Sequence, residues 1–315
     1  MCIYLCMQKI GAPSIALRRN VLGDVELRLL QVFAEIVRAN GFSAAQASLG
    51  MTQATISAHM RHLEERLGVR LCERGRGGFF LTEEGRQVHS AMLDLFGSIE
   101  RFRGAVSDAQ GDLTGQLTFG TVDAIASNTK LNLKDAVAEF SRLAPGVELQ
   151  IDITAPQFLS QSILNGRFQI VLMPKQKLLA QMRGIDVFPE RQNLYCGQGH
   201  PLFDTPESDL SDQVLARQAF AGRSYMPLAP ICGIDFSWRA TTAHMEGTLI
   251  LLLSGAYIGF LPDHYASDAV KDGRLRMLAI DRVTFDDMFQ IVYSRDRPTR
   301  AAELLAHTIL RACAA

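Results

Sequence analysis

Residues 52–62 group side chains whose hydrogen-bonding groups and methyls suit the edges and phosphates of a nucleic-acid duplex. If this stretch is helical, the side facing away from its apolar residues is polar or small. The Gln53 amide can pair with an adenine edge, hydroxyls can bond phosphates, and alanine methyls can touch a thymine methyl. The same pattern also fits a helix that binds no DNA, whose polar side is simply solvated and whose hydroxyls cap its end. The candidate DNA-contacting residues are Thr52, Gln53, Ala54, Thr55, Ser57, Ala58, Arg61 and His62, with Ser43 upstream.

A second stretch, residues 71–82, combines glycines with two more candidate DNA-contacting residues. Two short extended runs flank a glycine-rich tip that carries Arg74 and Arg76, which predicts a β-wing. Glycines let a backbone approach the duplex, and guanidinium groups bind phosphates. Nine arginines against six acidic residues give residues 18–81 a net charge of +3, whereas the whole chain carries −1. Because this local charge is modest, we expect affinity to require two or more copies.

The sequence predicts a pair of helices that position the candidate DNA-contacting face. Ser43 is placed to cap a short helix over Ala44–Leu49, Gly50 supplies a tight turn, and Thr52 can cap a helix that runs to about Leu67. Two helices joined by a short glycine turn form a helix-turn-helix. The second helix would turn its apolar stripe inward, and that stripe consists of Ile56, Met60 and Leu63.

Residues 82–110 predict one long amphipathic helix with a seam on one side. Its apolar residues follow one another at spacings of 4, 3, 4, 3 and 4, the pattern of a coiled coil. A helix buried on its own domain is the alternative, but on a helix that joins two domains the pattern favours a dimer contact. A two-fold pair of DNA-binding units would match a two-fold DNA site. The seam residues are Val88, Met92, Leu95, Ile99, Phe102 and Val106.

The amino-acid composition limits the classes of protein to which this chain can belong. A chain of 315 residues, 48% hydrophobic and 21% charged, predicts about two folded domains. A net charge of −1 excludes a uniformly basic coat protein. The longest uncharged apolar run, residues 247–262, is shorter than the roughly 18–20 residues that a membrane helix needs, so we expect no membrane partner. Six scattered cysteines without a CxxC pair favour a reducing cytoplasm over a disulfide framework.

Motifs for catalysis are missing from the sequence. GxSxG, P-loop and GxGxxG patterns do not occur, and His200, His244 and His264 lack metal-binding spacing. The sequence therefore predicts a protein that is not an enzyme and that needs neither a cofactor nor a metal.

In its motifs and their order, the sequence resembles the LysR-type transcriptional regulators over nearly all of residues 24–315. It departs from the family at Cys72, where an aromatic is usual, and at His59 and His62, where arginine or glutamine is common. The resemblance implies a cytoplasmic DNA-binding regulator that forms a homodimer and, as a dimer of dimers, a homotetramer, and that a small molecule controls. The motifs that carry it are Leu27–Phe33, Gly41–Ala45, Thr52–Ser57, Arg61–Gly68, Leu71–Arg74 and Leu81–Gly85.

The fold implied is a multidomain α+β chain. Residues 1–23 are an extension, 24–81 a winged helix-turn-helix, 82–110 a linker and dimerisation helix, and 116–315 an effector-binding domain. In the family this last domain has two α/β lobes, two crossing strands and a cleft, similar to type 2 periplasmic binding proteins. By this resemblance, lobe one comprises residues 116–194 and 289–315, and lobe two comprises residues 195–288. The chain would first cross between the lobes near residues 194–202.

The residues themselves support an α/β first lobe. Short apolar runs at 116–120, 149–153 and 169–173 alternate with helical stretches, which predicts a doubly wound lobe that binds ligands beyond its strand ends. Asp123 can bond a ligand or cap a helix, and Arg223 can hold an effector carboxylate or lie on the surface. The cleft candidates are Thr121, Asp123, Ser127, Pro156, Met173, Tyr195, Arg223, Ser224, Tyr225, His244 and Phe260.

A second interpretation remains at this point. The chain could be a small-molecule binding module whose N-terminal helices mediate protein contacts. The local basicity and the predicted wing argue against it. Cys196 and Cys232 could form a redox switch, as in peroxide-sensing members of the family, but the 36 positions between them and the strand predicted at Cys196 argue against that too.

Overall fold

The computed structural model of the protein describes residues 23–75, 78–110, 113–295 and 298–314. The predicted extension up to residue 22 and the predicted phosphate contact Arg76 lie outside these ranges. The described part of the chain divides into two compact units, of which the first ends at Met92 and the second begins at Leu93. Among the described helices, none combines the length and the apolar character that a bilayer crossing requires.

Unit one is a three-helix core followed by a two-stranded hairpin. An apolar stripe on α1 (Asp24–Arg38) packs with the inward stripe of α3 (Gln53–Leu67), and Phe33, Ile36, Ile56 and Leu63 are fully buried there. The helix-turn-helix prediction is therefore confirmed in its elements. They are α1 (Asp24–Arg38), α2 (Ala45–Leu49), α3 (Gln53–Leu67), β1 (Cys72–Gly75), β2 (Gly78–Leu81) and the first part of α4 (Glu83–Gln110).

Local capping explains where these helices begin and end. Thr52 is the N-cap of α3, as predicted, and its side chain accepts the Thr55 amide at 3.2 Å. Gly50 and Gly68 have positive φ at the ends of α2 and α3, where a side chain would be strained. The predicted cap Ser43 is wrong: Ala44 is the N-cap of α2, and it makes no side-chain capping bond.

One carboxylate ties the end of α3 to the hairpin. Glu64 accepts hydrogen bonds from the backbone amides of Leu71 at 2.7 Å and Cys72 at 3.3 Å. On the other strand, the Thr82 hydroxyl donates to the Arg70 carbonyl at 2.6 Å and also accepts the Gly85 amide at 2.8 Å, which caps α4. The wing is thus fastened at both of its strands.

Unit two is built on one continuous sheet. The nine strands of its described part are β3 (Thr114–Thr121), β4 (Gly146–Ile153), β5 (Ile170–Pro174), β6 (Met182–Gly197), β7 (Ala219–Arg223), β8 (Ser237–Thr242), β9 (Ile258–Pro262), β10 (Leu275–Leu278) and β11 (Thr284–Ser294). Eight of them follow the order β4-β3-β5-β11-β6-β9-β7-β8, and β10 pairs with β6 beside this path.

The antiparallel pair β6 and β11 forms the connection between two lobes. Lobe one is the parallel set β4-β3-β5, and lobe two contains β9, β7 and β8. The predicted crossing near residues 194–202 is misplaced, because β6 already begins at Met182 and runs through that boundary. The packed helices are α5 (Leu133–Leu143), α6 (Pro156–Leu164), α7 (Asp212–Ala216), α8 (Met245–Leu253), α9 (Asp263–Lys271) and α10 (Arg300–Ala314).

The second half of α4 lies against lobe one through its glycines. A side chain at Gly97 would collide with the backbone at Asn165 and Gly166, so only glycine permits this close approach. Gly104, seven residues on, faces the Thr299 side chain, whose Cγ2 would lie 3.1 Å from an added Cβ, a tight contact but not a collision with backbone. By the helical repeat, both glycines lie on the side of the helix opposite the predicted seam. The seam residues Phe102 and Val106 nevertheless line a pocket that lobe one also lines, through residues such as Gln169.

Candidate nucleic-acid interface and ligand cavity

The structure brings the predicted DNA-contacting residues of α3 onto one side of the helix. Their side chains are exposed, except that Ser57 is half-buried. This side lies opposite Ile56, Met60 and Leu63, which are buried in the core. The residues placed together are Thr52, Gln53, Ala54, Thr55, Ser57, Ala58, Arg61 and His62.

A residue that sequence reasoning missed orients this helix. Gln46 of α2 accepts the backbone amide of Gln53 at 3.2 Å, and its own amide donates to the Ser43 carbonyl at 3.3 Å. The predicted contact Ser43 is exposed near this bond. No periodicity in the sequence marks Gln46, since the bond joins two different helices.

The wing lies beyond the end of α3. In the β1–β2 hairpin, Arg74 pairs across the strands with Phe79. Phe79 packs edge-on against Phe42, with ring centroids 5.9 Å apart, which holds β2 to the loop before α2. Arg76 lies outside the described residues.

The predicted dimer seam on α4 is unevenly covered. Phe102 is 70% exposed and Val106 is 41% exposed, which is unusual for large apolar side chains. Val88, Leu95 and Ile99 are half-buried, while Met92 is 2% exposed and therefore already packed within its own chain.

Unit two contains a cavity of about 500 Å³ between the lobes and the crossing strand β11. Its walls are mostly apolar, and a few charged groups line one part of it, as is common in small-molecule sites. The lining residues are Pro156, Gln157, Pro174, Lys175, Gln176, Arg223, Tyr225, Met226, Pro227, Ala229, Pro230, Ile231, Cys232, Phe285 and Asp287.

Arg223, at the end of β7, is the buried charge of this cavity. It is 2% exposed, and its Nη2 donates to the Gln192 side-chain oxygen at 2.7 Å. Nη1 lies 3.6 Å from an Asp287 carboxylate oxygen, and Nε has no hydrogen-bond acceptor among the described residues. Burial raises the pKa of Asp287, while the Arg223 charge acts in the opposite direction. Burial likewise raises the pKa of the Tyr225 phenol.

A chain of buried hydrogen bonds leads from Arg223 to a contact between the lobes. Gln192 donates to Glu190 at 2.7 Å, and the other Glu190 oxygen lies 2.8 Å from His264 Nε2. The Nδ1 of the same ring lies 2.9 Å from the Ser127 hydroxyl of lobe one. Because Ser127 donates to the Ala124 carbonyl at 2.9 Å, it accepts from His264.

Asp123 makes a second contact between the lobes. Its carboxylate accepts the Met245 amide at 2.5 Å and the Glu246 amide at 3.4 Å, so it caps α8 of lobe two. His244 lies beside it, with Nδ1 3.9 Å from the carboxylate. Of the two roles left open for Asp123, the structure favours capping, although of a helix in the opposite lobe.

The cleft candidates divide into three groups. Pro156, Arg223 and Tyr225 line the cavity. Thr121, Met173, Tyr195 and Phe260 are at most 2% exposed and belong to the core, so they do not line it. The remaining candidates lie at more exposed positions outside the lining, and they are Asp123, Ser127, Ser224 and His244.

Sequence reasoning missed the contribution of the crossing strands. Phe285 and Asp287 alternate on β11, and both line the cavity. Glu190 and Gln192 alternate on β6, and Glu190 pairs with Asp287 across the two strands. The available signal was the presence of charged residues, Glu190 and Asp287, inside two long strands. Among the described residues, no cluster of three metal-ligating side chains occurs.

Two family models match the chain. The bacterial regulatory helix-turn-helix protein model of the lysR family matches residues 27–86. The LysR substrate binding domain model matches residues 110–314.

Relatives and solved structures agree with these matches. The HTH-type transcriptional activator BauR of Pseudomonas aeruginosa is 35% identical over 293 residues, which cover 92% of this chain and 95% of that protein. The crystal structure of CbnR, a LysR family transcriptional regulator, has a TM-score of 0.62 at 15% identity and covers 91% of this chain and 99% of CbnR. Full-length CbnR complexed with its target DNA has a TM-score of 0.61 at 16% identity, with the same coverage.

Proposed function

This chain belongs to the LysR family of bacterial transcriptional regulators, and on that premise we propose how its residues bind DNA and an effector. It has a helix-turn-helix DNA-binding domain and an effector-binding domain, and its relatives are regulators rather than enzymes. We assign residues 24–81 to the first domain, 82–110 to the linker helix and 116–315 to the second, with the lobe boundary moved to the strand pair β6 and β11.

The proposal for DNA binding rests on one observation, the exposed polar side of α3. We infer that this side enters the major groove, where Gln53 contacts a base edge and Arg61 contacts the backbone. The wing residues Arg74 and Arg76 would add phosphate contacts. The match of the helix-turn-helix model to residues 27–86 favours DNA over a protein partner for these helices.

Dimerisation through α4 is the second part of the proposal. Phe102 and Val106 leave apolar surface on the side of α4 that faces away from Gly97 and Gly104. The same side of a second copy would cover it, and two paired DNA-binding units would match a two-fold DNA site. Pairing of two such dimers would give the homotetramer that the family resemblance implies.

The effector is proposed to bind in the cavity between the lobes. Its volume suits a small organic molecule, and it touches lobe one, lobe two and β11. An effector there can alter the lobe arrangement only if it binds one arrangement more tightly than another.

Binding of the purified full-length protein to duplex DNA tests the proposed function. We expect specific binding to a fragment from the promoter region next to its own gene, with affinity that falls steeply as salt rises. Equal affinity for that fragment and for shuffled DNA of the same composition would contradict it.

A further inference from the structure

The cavity contains a buried cation whose donors are only partly used. Arginine has five N–H donors, and Arg223 donates to Gln192 at 2.7 Å and also interacts with the neighbouring Tyr225 side chain. The 3.6 Å contact with Asp287 exceeds ordinary hydrogen-bond distance, and Nε has no acceptor among the residues that the structure describes. A buried donor without an acceptor is unfavourable, so a ligand oxygen that reaches Arg223 would relieve this deficit.

The other residues that line the cavity indicate the character of the part of the ligand that does not contact Arg223. Apolar side chains surround most of the space, and Lys175, the other cation in the described lining, is exposed and pairs with Asp186. A ligand with one anionic group and an apolar body would therefore match the walls. The apolar lining residues are Pro156, Pro174, Met226, Pro227, Ala229, Pro230, Ile231 and Phe285.

We propose that the effector is an organic acid with an apolar body, whose carboxylate accepts hydrogen bonds from Arg223 in this cavity. The inference rests on the proposed function, which requires an effector. Guanidinium groups bind carboxylates in a planar, charge-assisted geometry, which a lysine does not reproduce. Asp287 is a competitor for the same guanidinium, because its carboxylate already lies beside Nη1.

A chain of hydrogen bonds connects Arg223, and therefore a carboxylate bound to it, with the contact between the two lobes. Gln192 and Glu190 are fully or nearly fully buried, and they connect Arg223 with His264. His264 contacts Ser127 through Nδ1 at 2.9 Å and faces Glu190 with Nε2 at 2.8 Å. A carboxylate that engages Arg223 changes the polarisation of this chain and hence the environment of the His264 ring.

Ligand-observed NMR titration of the full-length protein tests this with three probes of one carbon skeleton. The probes are hexanoate, hexanamide and hexylamine, each up to about 20 mM, since fragments of this size bind weakly. We expect hexanoate to bind at least about tenfold more tightly than the other two. Equal binding of hexanoate and hexanamide, preferred binding of hexylamine, or no binding of any probe would overturn the proposal.

Three variants locate the site. Arg223→Lys keeps the charge and should weaken hexanoate binding by about tenfold or more, since the planar fork is lost. The matched control Arg191→Gln removes an exposed arginine from β6 that pairs with Asp286, and should leave binding unchanged. Asp287→Asn should tighten hexanoate binding by several-fold because it removes the competing carboxylate. That gain cannot arise from misfolding, and weaker binding in Asp287→Asn would count against the proposal.

Two parallel measurements complete the test. The His264 ring ¹⁵N shifts should change when hexanoate saturates the wild-type protein, and should not change with hexanamide; unchanged shifts at saturation would refute the route to His264. A gel-shift titration on the same samples tests DNA binding, and so distinguishes failure of the organic-acid proposal from failure of the proposed function. Intact DNA binding without a carboxylate preference would reject only the organic acid, whereas absent DNA binding would reject the proposed function.

Discussion

Asp123 of lobe one accepts the backbone amide of Met245, the first residue of α8 in lobe two, at 2.5 Å. The cap residue His244 makes no side-chain capping bond of its own, so the helix receives its capping carboxylate from the other lobe. The contact therefore links the stability of α8 to the arrangement of the lobes.

Replacement of Asp123 should destabilise lobe two. We expect Asp123→Ala to lower the free energy of unfolding by about 1 kcal/mol, and Asp123→Asn by less, since asparagine is also a good cap. Trp238, the one tryptophan of the chain, lies in β8 of lobe two and reports urea unfolding there by fluorescence. Asp268→Ala, at an 87% exposed side chain on α9, is the control and should change little. Equal effects of the two alanine variants would contradict the capping role.

A charge in the α4 seam should weaken the dimer. Phe102→Glu places a carboxylate where the proposal puts a partner helix, and burial of an unpaired charge is unfavourable. Sedimentation velocity should show a shift of the wild-type dimer toward monomer. Gln87→Glu adds the same charge at an exposed position of α4 outside the seam and should leave the sedimentation coefficient unchanged. An undisturbed dimer in Phe102→Glu would place the interface elsewhere.

The two cysteines of lobe two should react at very different rates. Cys196 is fully buried, and burial raises the pKa of its thiol to about 12, so very little of it is thiolate at pH 8. Cys232 is exposed, although partial burial of its thiol raises that pKa as well. We expect iodoacetamide to label Cys232 at least about a hundredfold faster, as measured by peptide-resolved mass spectrometry. A Cys196–Cys232 disulfide after mild peroxide treatment would instead support the redox switch.

Replacement of an arginine in the DNA-binding unit should weaken binding to every DNA duplex by the same factor. We expect Arg61→Ala to weaken binding to specific and random DNA by the same factor and to reduce the salt slope by about 1, since a phosphate contact carries no sequence information. On sequence grounds we expect the same of Arg76→Ala. Arg142→Ala, at an exposed position on α5 in unit two, is the control. A loss restricted to one DNA sequence would mean that Arg61 contacts a base.

The helix-turn-helix was predictable because its signals are local. Thr52 caps α3 and Gly50 turns the chain within a few residues of the helix that they define, and the periodicity of Ile56 and Met60 sets its buried side. The same reasoning failed for Ser43, because a hydroxyl near a helix start does not determine which residue becomes the cap.

The cavity was less predictable because its residues meet through strand pairing. Glu190 and Asp287 are partners across β6 and β11, a register that no local pattern encodes. Thr121 and Met173 were predicted because they lie at strand ends, yet both side chains turn into the core. The position of a strand end shows where the edge of the sheet lies. It does not show whether a side chain there is buried, because that depends on the helices that cover its face of the sheet.

The central claim is that the exposed side of α3 reads DNA sequence. In vitro selection from a random duplex pool tests it most directly, with wild-type protein, Gln53→Ala and the control Gln87→Ala. We predict that the wild type and the control enrich the same two-fold site, with half-sites about one helical turn apart, and that Gln53→Ala loses discrimination worth about 1–3 kcal/mol at one position of each half-site. Selection of no site by the wild type, or of an identical site by Gln53→Ala, would contradict the account.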